Sequence, residues 1–197
     1  MQQHRYFLLH KPFNMVSQFI SSHDVRLLGS IDFEFPEGTH AIGRLDKNSE
    51  GLLLLTTNSK ITNLLFHGTE AHARTYLVQV KDIMTEATAE KLAKGIAISA
   101  QNGSQYITNP STVKLVSPAT YINNWSATTL HKNVRNSWIT ISLTEGKYHQ
   151  VRKMVAAVNH KCLRLIRIAI EDIVLGDLPP GAVMEVSQEY FFEKLKL

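Results

Sequence analysis

The chain of 197 residues contains one cysteine, Cys162. A single thiol cannot form an internal disulfide and cannot supply a C-x-x-C zinc or redox pair. Long apolar runs are missing as well. No stretch approaches the roughly 20 apolar residues a spanning helix needs, and the opening MQQHRYFLLHKP has no apolar region long enough for a secretory leader. A soluble, cytoplasmic protein is expected. No G-x-x-x-x-G-K-[ST] phosphate loop occurs. The nine histidines include no H-E-x-x-H pair or other paired spacing, so no metal site is expected. Repeats and low-complexity segments are absent too.

What is present is enough apolar material, 44% of the chain, for a proper core in one large domain or two small lobes. The net charge of +4 is modest but unevenly placed. Between His131 and Arg167 stand eight basic residues (Lys132, Arg135, Lys147, Arg152, Lys153, Lys161, Arg164 and Arg167) against one acid, Glu145, while the remainder holds 13 basic and 16 acidic residues. Such a concentration is the footprint of a polyanion-binding face, or of a solvated surface with no partner.

Local patterns give a coarse map. Tyr6 to Lys11 reads as an apolar strand stopped by Pro12. A short helix is expected around Asp24 to Gly29, and a turn at Pro36 to Gly38. Gly51 to Thr56 reads as a buried strand, Ser59 as the cap of a helix from Lys60 to His67 ended by Gly68, and Thr75 to Lys81 as a strand. Thr85 opens a helix from Glu86 to Lys94, closed by Gly95. Asn102-Gly103 signals a hairpin with a type I′ turn. Ser111 to Val116 and Trp138 to Leu143 alternate as strands, joined by an irregular polar segment, Ser117 to Asn136, that contains Trp125. A helix from Gln150 to Val158 carries Val151, Met154, Val155 and Val158 on one stripe, which leaves Arg152 and Lys153 outside it. Lys161 to Ile170 reads as a strand, and Ser187 caps a terminal helix reaching Lys194. Strands and helices do not alternate regularly, so an α+β fold with a mainly antiparallel or mixed sheet flanked by helices is expected rather than a doubly wound parallel sheet.

The chain is organised around GRLDKNSEGLLLLTTN, Gly43 to Asn58, where a charged loop with Arg44, Asp46, Lys47 and Glu50 runs into four leucines. A calcium loop is suggested by D-x-N-x-x-G but fails at its twelfth position, where Thr57 replaces the bidentate Glu, and at positions seven to ten, which are all leucine. Taken singly, a loop Asp46, a strand Tyr76 in ARTYLV and a basic GKYHQVRK at a helix start each have a plain structural explanation.

Together, GRLDKNSEGLLLL, RTYLVQV, EGKYHQVRKM and CLRLIRIAI, in that order and over nearly all of the chain, resemble the RsuA-type family of ribosomal RNA pseudouridine synthases. The resemblance is strongest to its RluE branch, which modifies large-subunit RNA, opens its catalytic domain with a strand and K-P, here Lys11-Pro12, and lacks the N-terminal S4 domain. It implies a single pseudouridine synthase catalytic domain over residues 1–197. It also implies that Asp46 is the nucleophile, that Tyr76 packs on the target base and takes part in proton abstraction, and that Arg152 pairs with the aspartate, holding it ionised and directed. By the same resemblance Arg44 helps fill the space left by a flipped nucleotide, Arg74, Lys147, Gln150 and Lys153 are RNA contacts, and Leu163 and Leu165 line the base pocket, though plain strand core explains those two equally well. The implied reaction exchanges one glycosidic bond for another with no redox change, so no cofactor is expected. Departures are small: Ser49 stands where threonine is usual, Thr57-Asn58-Ser59-Lys60 replaces T-N-D-G, and Lys153 replaces a second arginine. The implied partner is large-subunit ribosomal RNA, met by a monomer. Two other readings share these residues: a catalytically inactive RNA-binding or ribosome-assembly factor on the same fold, and an acid-dependent nucleoside hydrolase, against which the basic segment speaks.

Overall fold

The computed structural model describes residues 4–67, 70–100, 103–121 and 134–197. In chain order its elements are β1 (Tyr6–Lys11), β2 (His40–Ala41), β3 (Glu50–Thr56), α1 (Ile61–His67), β4 (Arg74–Lys81), α2 (Glu86–Ala93), β5 (Ala97–Ser99), β6 (Gln105–Ile107), β7 (Thr112–Leu115), β8 (Asn136–Leu143), α3 (Gln150–Ala157), β9 (Cys162–Ile170), β10 (Ile173–Val174), β11 (Val183–Val186) and α4 (Gln188–Leu195). The class is α+β, as the irregular order of helices and strands requires. The chain forms two compact units, residues 1–72 with 167–197, and residues 73–166.

In the first unit β1 lies between β11 and β3, antiparallel to both, and β2 pairs with β3. Every residue of β1 and β3 is buried, which explains why neither sequence alternates: both faces are covered. Phe7, Leu9, Leu53 and Leu55 face a core completed by Met15, Leu28 and Ile31, with Phe33 and Phe35 packed on it. Successive strand residues point to opposite faces, and Tyr6 accordingly meets Phe191 of α4 at 4.7 Å between ring centroids. The Ser187 hydroxyl caps α4, accepting a bond from the Tyr190 N–H at 3.1 Å.

In the second unit β8 pairs antiparallel with β4 and with β7. Val78, Val80, Ile139, Ile141 and Leu143 form its core with Leu92 of α2 and Val151, Met154 and Val155 of α3. The expected apolar stripe of α3 is therefore its buried face. Thr85 caps α2, accepting from the Thr88 N–H at 3.2 Å.

Several local expectations need correction. No helix forms over Asp24 to Gly29; a 3-10 turn covers Leu28–Ser30 alone. The Val16 N–H donates to the Arg26 carbonyl and the Leu28 N–H to the Gln18 carbonyl, so this backbone is committed to another segment rather than to an i to i−4 ladder. At the start of α1 it is the Asn58 side chain that accepts a bond, from the Lys60 N–H, where Ser59 was expected to cap. β5 and β6 do form the expected hairpin, in which Ala100 N–H donates to Ser104 O and Gly103 N–H to Ala100 O. Gly103 has a positive φ, and the rest of the Asn102-Gly103 turn falls outside the described residues. Asn102, Gly68, Trp125 and Lys132 lie outside the described residues. Among the described residues no helix is long and apolar enough to cross a membrane.

Candidate active site

In the first unit, Asp46 is half-buried and opens a tight turn in which Ser49 N–H donates to its carbonyl at 3.0 Å; Lys47 and Asn48 at the turn's tip are exposed, as is Arg44. The turn is anchored on both sides. Before it, the buried Ser17 hydroxyl donates to the Leu45 carbonyl at 2.8 Å and accepts from the Leu45 N–H at 3.0 Å. After it, the chain enters β3 at Glu50 and Gly51, against the backbone of Arg167. The Arg167 side chain is 2% exposed; its Nε donates to the Leu52 carbonyl at 2.7 Å and its Nη1 reaches the Arg44 carbonyl at 3.5 Å.

Lys11 sits opposite Gly51 in the β1–β3 register and is 0% exposed. Its Nζ donates to the carbonyls of Pro12 at 2.9 Å and Met15 at 2.7 Å. Burial lowers its pKa to about 8, against an upward pull from Glu50, a further lowering by the Arg167 charge and an upward pull from Asp46. Two buried cations and two carboxylates thus lie around the root of this loop, where charges are screened less than in bulk water.

In the second unit, Tyr76 is half-buried on β4, opposite Ile141, and packs on the edge of that unit's core. Arg74, two residues earlier on the same face of β4, lies against Gly146, with Nη1 3.6 Å from where a Cβ would stand. Arg152 is half-buried on α3, and its Nη1 donates to the Cys162 sulfur at 3.6 Å. Burial pushes the Cys162 thiol up to about 11, an effect the Arg152 charge opposes. Lys153 donates from Nζ to the Ser99 carbonyl at 2.7 Å and lies 5.2 Å from the Tyr148 ring centre; exposed Lys147 lies 4.7 Å from that of Tyr106. Leu163 is half-buried, and Leu165 belongs to the core.

Two features of the sequence reading change. Gln150 does not stand ready for RNA: it is 4% exposed, its side-chain oxygen accepts from the Lys147 N–H at 2.8 Å and its Nε2 donates to Glu145 at 2.6 Å. Glu145 in turn accepts from the Tyr106 hydroxyl and the Asn109 N–H, so this polar cluster is an internal strut at the start of α3. The basic segment is also less of a surface than its composition implies, because Arg164 and Arg167 are buried. Ser17 is not marked by any motif, and Lys11, Glu50 and Arg167 are named in the sequence only within motifs or the basic segment, without a role at the site. The sequence signal for Lys11 is its place at the end of a strand immediately before proline, the K-P pair of the resemblance. Among the described residues no group of three or more His, Cys, Asp or Glu side chains is placed to hold a metal ion.

Residues 5–157 match the RNA pseudouridylate synthase family. The chain belongs to that family. It is 32% identical over 186 residues to the ribosomal large subunit pseudouridine synthase E of Vibrio parahaemolyticus, covering 94% of this chain and 75% of that protein. It is 34% identical over 176 residues to the enzyme of the same name from Xanthomonas axonopodis pv. citri, covering 88% and 89%. A crystal structure of a pseudouridylate synthase superposes with a TM-score of 0.78 at 27% identity, over 99% of this chain and 75% of that one. The protein is thus an RNA pseudouridine synthase, an isomerase with the α+β fold of its family.

Proposed function

We propose that this pseudouridine synthase isomerises a uridine of large-subunit ribosomal RNA, with Asp46 as its nucleophile. The observation that carries the reading is the similarity of nearly the whole chain to two synthases named for the large ribosomal subunit, together with the braced turn on which Asp46 stands.

In the reaction the N1–C1′ bond of uridine breaks, the uracil turns, C5 bonds to C1′, and the C5 proton leaves while N1 gains one; the atoms balance without an oxidant or a leaving group. A carboxylate fixed in direction serves as the nucleophile, and Asp46 takes that role. Tyr76 stacks on the uracil through its half-exposed ring and takes part in removing the C5 proton. Arg152 serves the aspartate by directing it. A uridine reached in this way must leave its stack, and exposed Arg44 fills the gap it leaves. Arg74, Lys147 and Lys153 meet the RNA backbone, while Leu163 and Leu165 form the apolar floor of the base pocket. The enzyme works in the cytoplasm as a monomer, without a metal or an organic cofactor.

The test is to map pseudouridine across ribosomal RNA from cells with and without the gene. The reading expects one large-subunit position to revert to uridine in the deletion and to recover on complementation. An unchanged large-subunit map with a lost site elsewhere in RNA contradicts the substrate.

A further inference from the structure

We propose that Ser17 and Arg167 are positioning residues that fix the backbone on either side of Asp46. The proposal deepens the assignment of Asp46 as nucleophile and rests on it.

The backbone on both sides of Ser17 is held at three points. Lys11 bonds the Met15 carbonyl at 2.7 Å, the Val16 N–H donates to Arg26 O at 3.0 Å, and the Gln18 carbonyl accepts from Leu28 N–H at 2.9 Å. The buried Ser17 hydroxyl therefore has a fixed origin. That hydroxyl takes both the carbonyl and the N–H of Leu45, so one small side chain uses its donor and an acceptor on the backbone of the residue immediately before Asp46. On the far side, Arg167 bonds Leu52 O through Nε and approaches Arg44 O through Nη1, spanning the segment that contains the aspartate. Its Nη2 is buried with no hydrogen-bond partner among the described residues. A buried guanidinium with one end unmatched is costly for stability alone, and its place under a loop whose carboxylate must point in one direction supplies a reason for keeping it. Displacing a reacting group by about 1 Å costs on the order of 100-fold in rate, which is the scale at which such a brace acts.

The experiment is a single-turnover assay of the full-length enzyme in excess over a large-subunit RNA transcript carrying 5-tritiated uridine, run beside RNA affinity and urea unfolding. Ser17→Ala is expected to lower the rate constant by roughly 10- to 100-fold with full reaction amplitude and unchanged RNA affinity. Ser17→Thr, which keeps the hydroxyl, should recover most of the rate. Arg167→Lys keeps the cation but cannot reach both carbonyls, and should fall in the same range as Ser17→Ala. A merely structural role would instead reduce the amplitude, as the folded fraction falls, and leave the rate constant alone. Should Ser17→Ala not fold, Ser17→Cys keeps the shape and decides the matter by the same criterion. A wild-type rate constant in Ser17→Ala or Arg167→Lys overturns the proposal while leaving the nucleophile in place, provided Asp46→Asn is inactive. An active Asp46→Asn removes the nucleophile and the proposal with it.

Discussion

Gly51 and Arg167 meet backbone to backbone: a Cβ placed on Gly51 would stand 2.3 Å from the Arg167 carbonyl oxygen, and Gly51 has a φ of +103°. Neither side can yield, since Gly51 is paired with Lys11 in the β1–β3 ladder and Arg167 lies within β9. Gly51→Ala should therefore destabilise the protein by more than about 3 kcal/mol. Gly103, with a φ of +83° and nothing within 4 Å of its absent Cβ, offers the contrast. Gly103→Ala should cost about 1–2 kcal/mol, the price of the left-handed conformation alone. Urea unfolding of the two variants measures the difference, and similar midpoints would contradict the close-approach argument.

Lys11 should make stability depend on pH in the alkaline range. Its pKa falls from 10.5 to about 8 on folding, chiefly through burial. Below about pH 8 the lysine is charged in both states and the folded protein bears the full desolvation cost. Between about 8 and 10.5 the unfolded chain binds more protons than the folded one, so this contribution to stability rises with pH. The full effect is of order 3 kcal/mol. The difference in unfolding free energy between the wild type and Lys11→Met, followed from pH 7 to 10.5, should increase in favour of the wild type; a flat difference would contradict a lysine neutralised within the fold.

Much of this architecture was legible in the chain, and the parts that were not have a common cause. Thr85 and Ser187 announced their helices because capping is local chemistry. The leucines of β3 and the alternation of Ile139, Ile141 and Leu143 announced strands because burial imposes a period. The Asp24 to Gly29 helix failed because Arg26 and Leu28 bond to residues 16–18, a long-range choice that no local window contains. The braces around Asp46 were invisible for the same reason. Lysine and arginine are ordinarily surface residues, so nothing in the sequence marks the Lys11 and Arg167 side chains as buried, and nothing near Ser17 indicates that it bonds residue 45. Gln150 misled in the opposite sense: its place in a basic motif suggested RNA, whereas its amide is used internally.

Arg152 and Lys147 should separate by the kind of loss each causes, although both variants remove one positive charge from the second unit. Arg152→Ala is expected to lower the single-turnover rate constant at saturating enzyme, where the binding term drops out. Lys147→Ala should leave that rate constant unchanged, weaken RNA binding and reduce the salt slope of the affinity by about one unit. If Arg152→Ala keeps a normal rate constant and loses only affinity, Arg152 is an RNA contact and has no part in the chemistry.

The central claim, that Asp46 carries the isomerisation, is met most directly by tritium release from 5-tritiated uridine in large-subunit ribosomal RNA, with Asp46→Asn compared against the wild type. The substitution is nearly isosteric on a half-buried loop, so the fold and the RNA affinity should persist. The wild type should release tritium in an amount equal to one site per RNA, and Asp46→Asn should release none above background at any enzyme concentration. Turnover by a folded, RNA-binding Asp46→Asn would contradict the account.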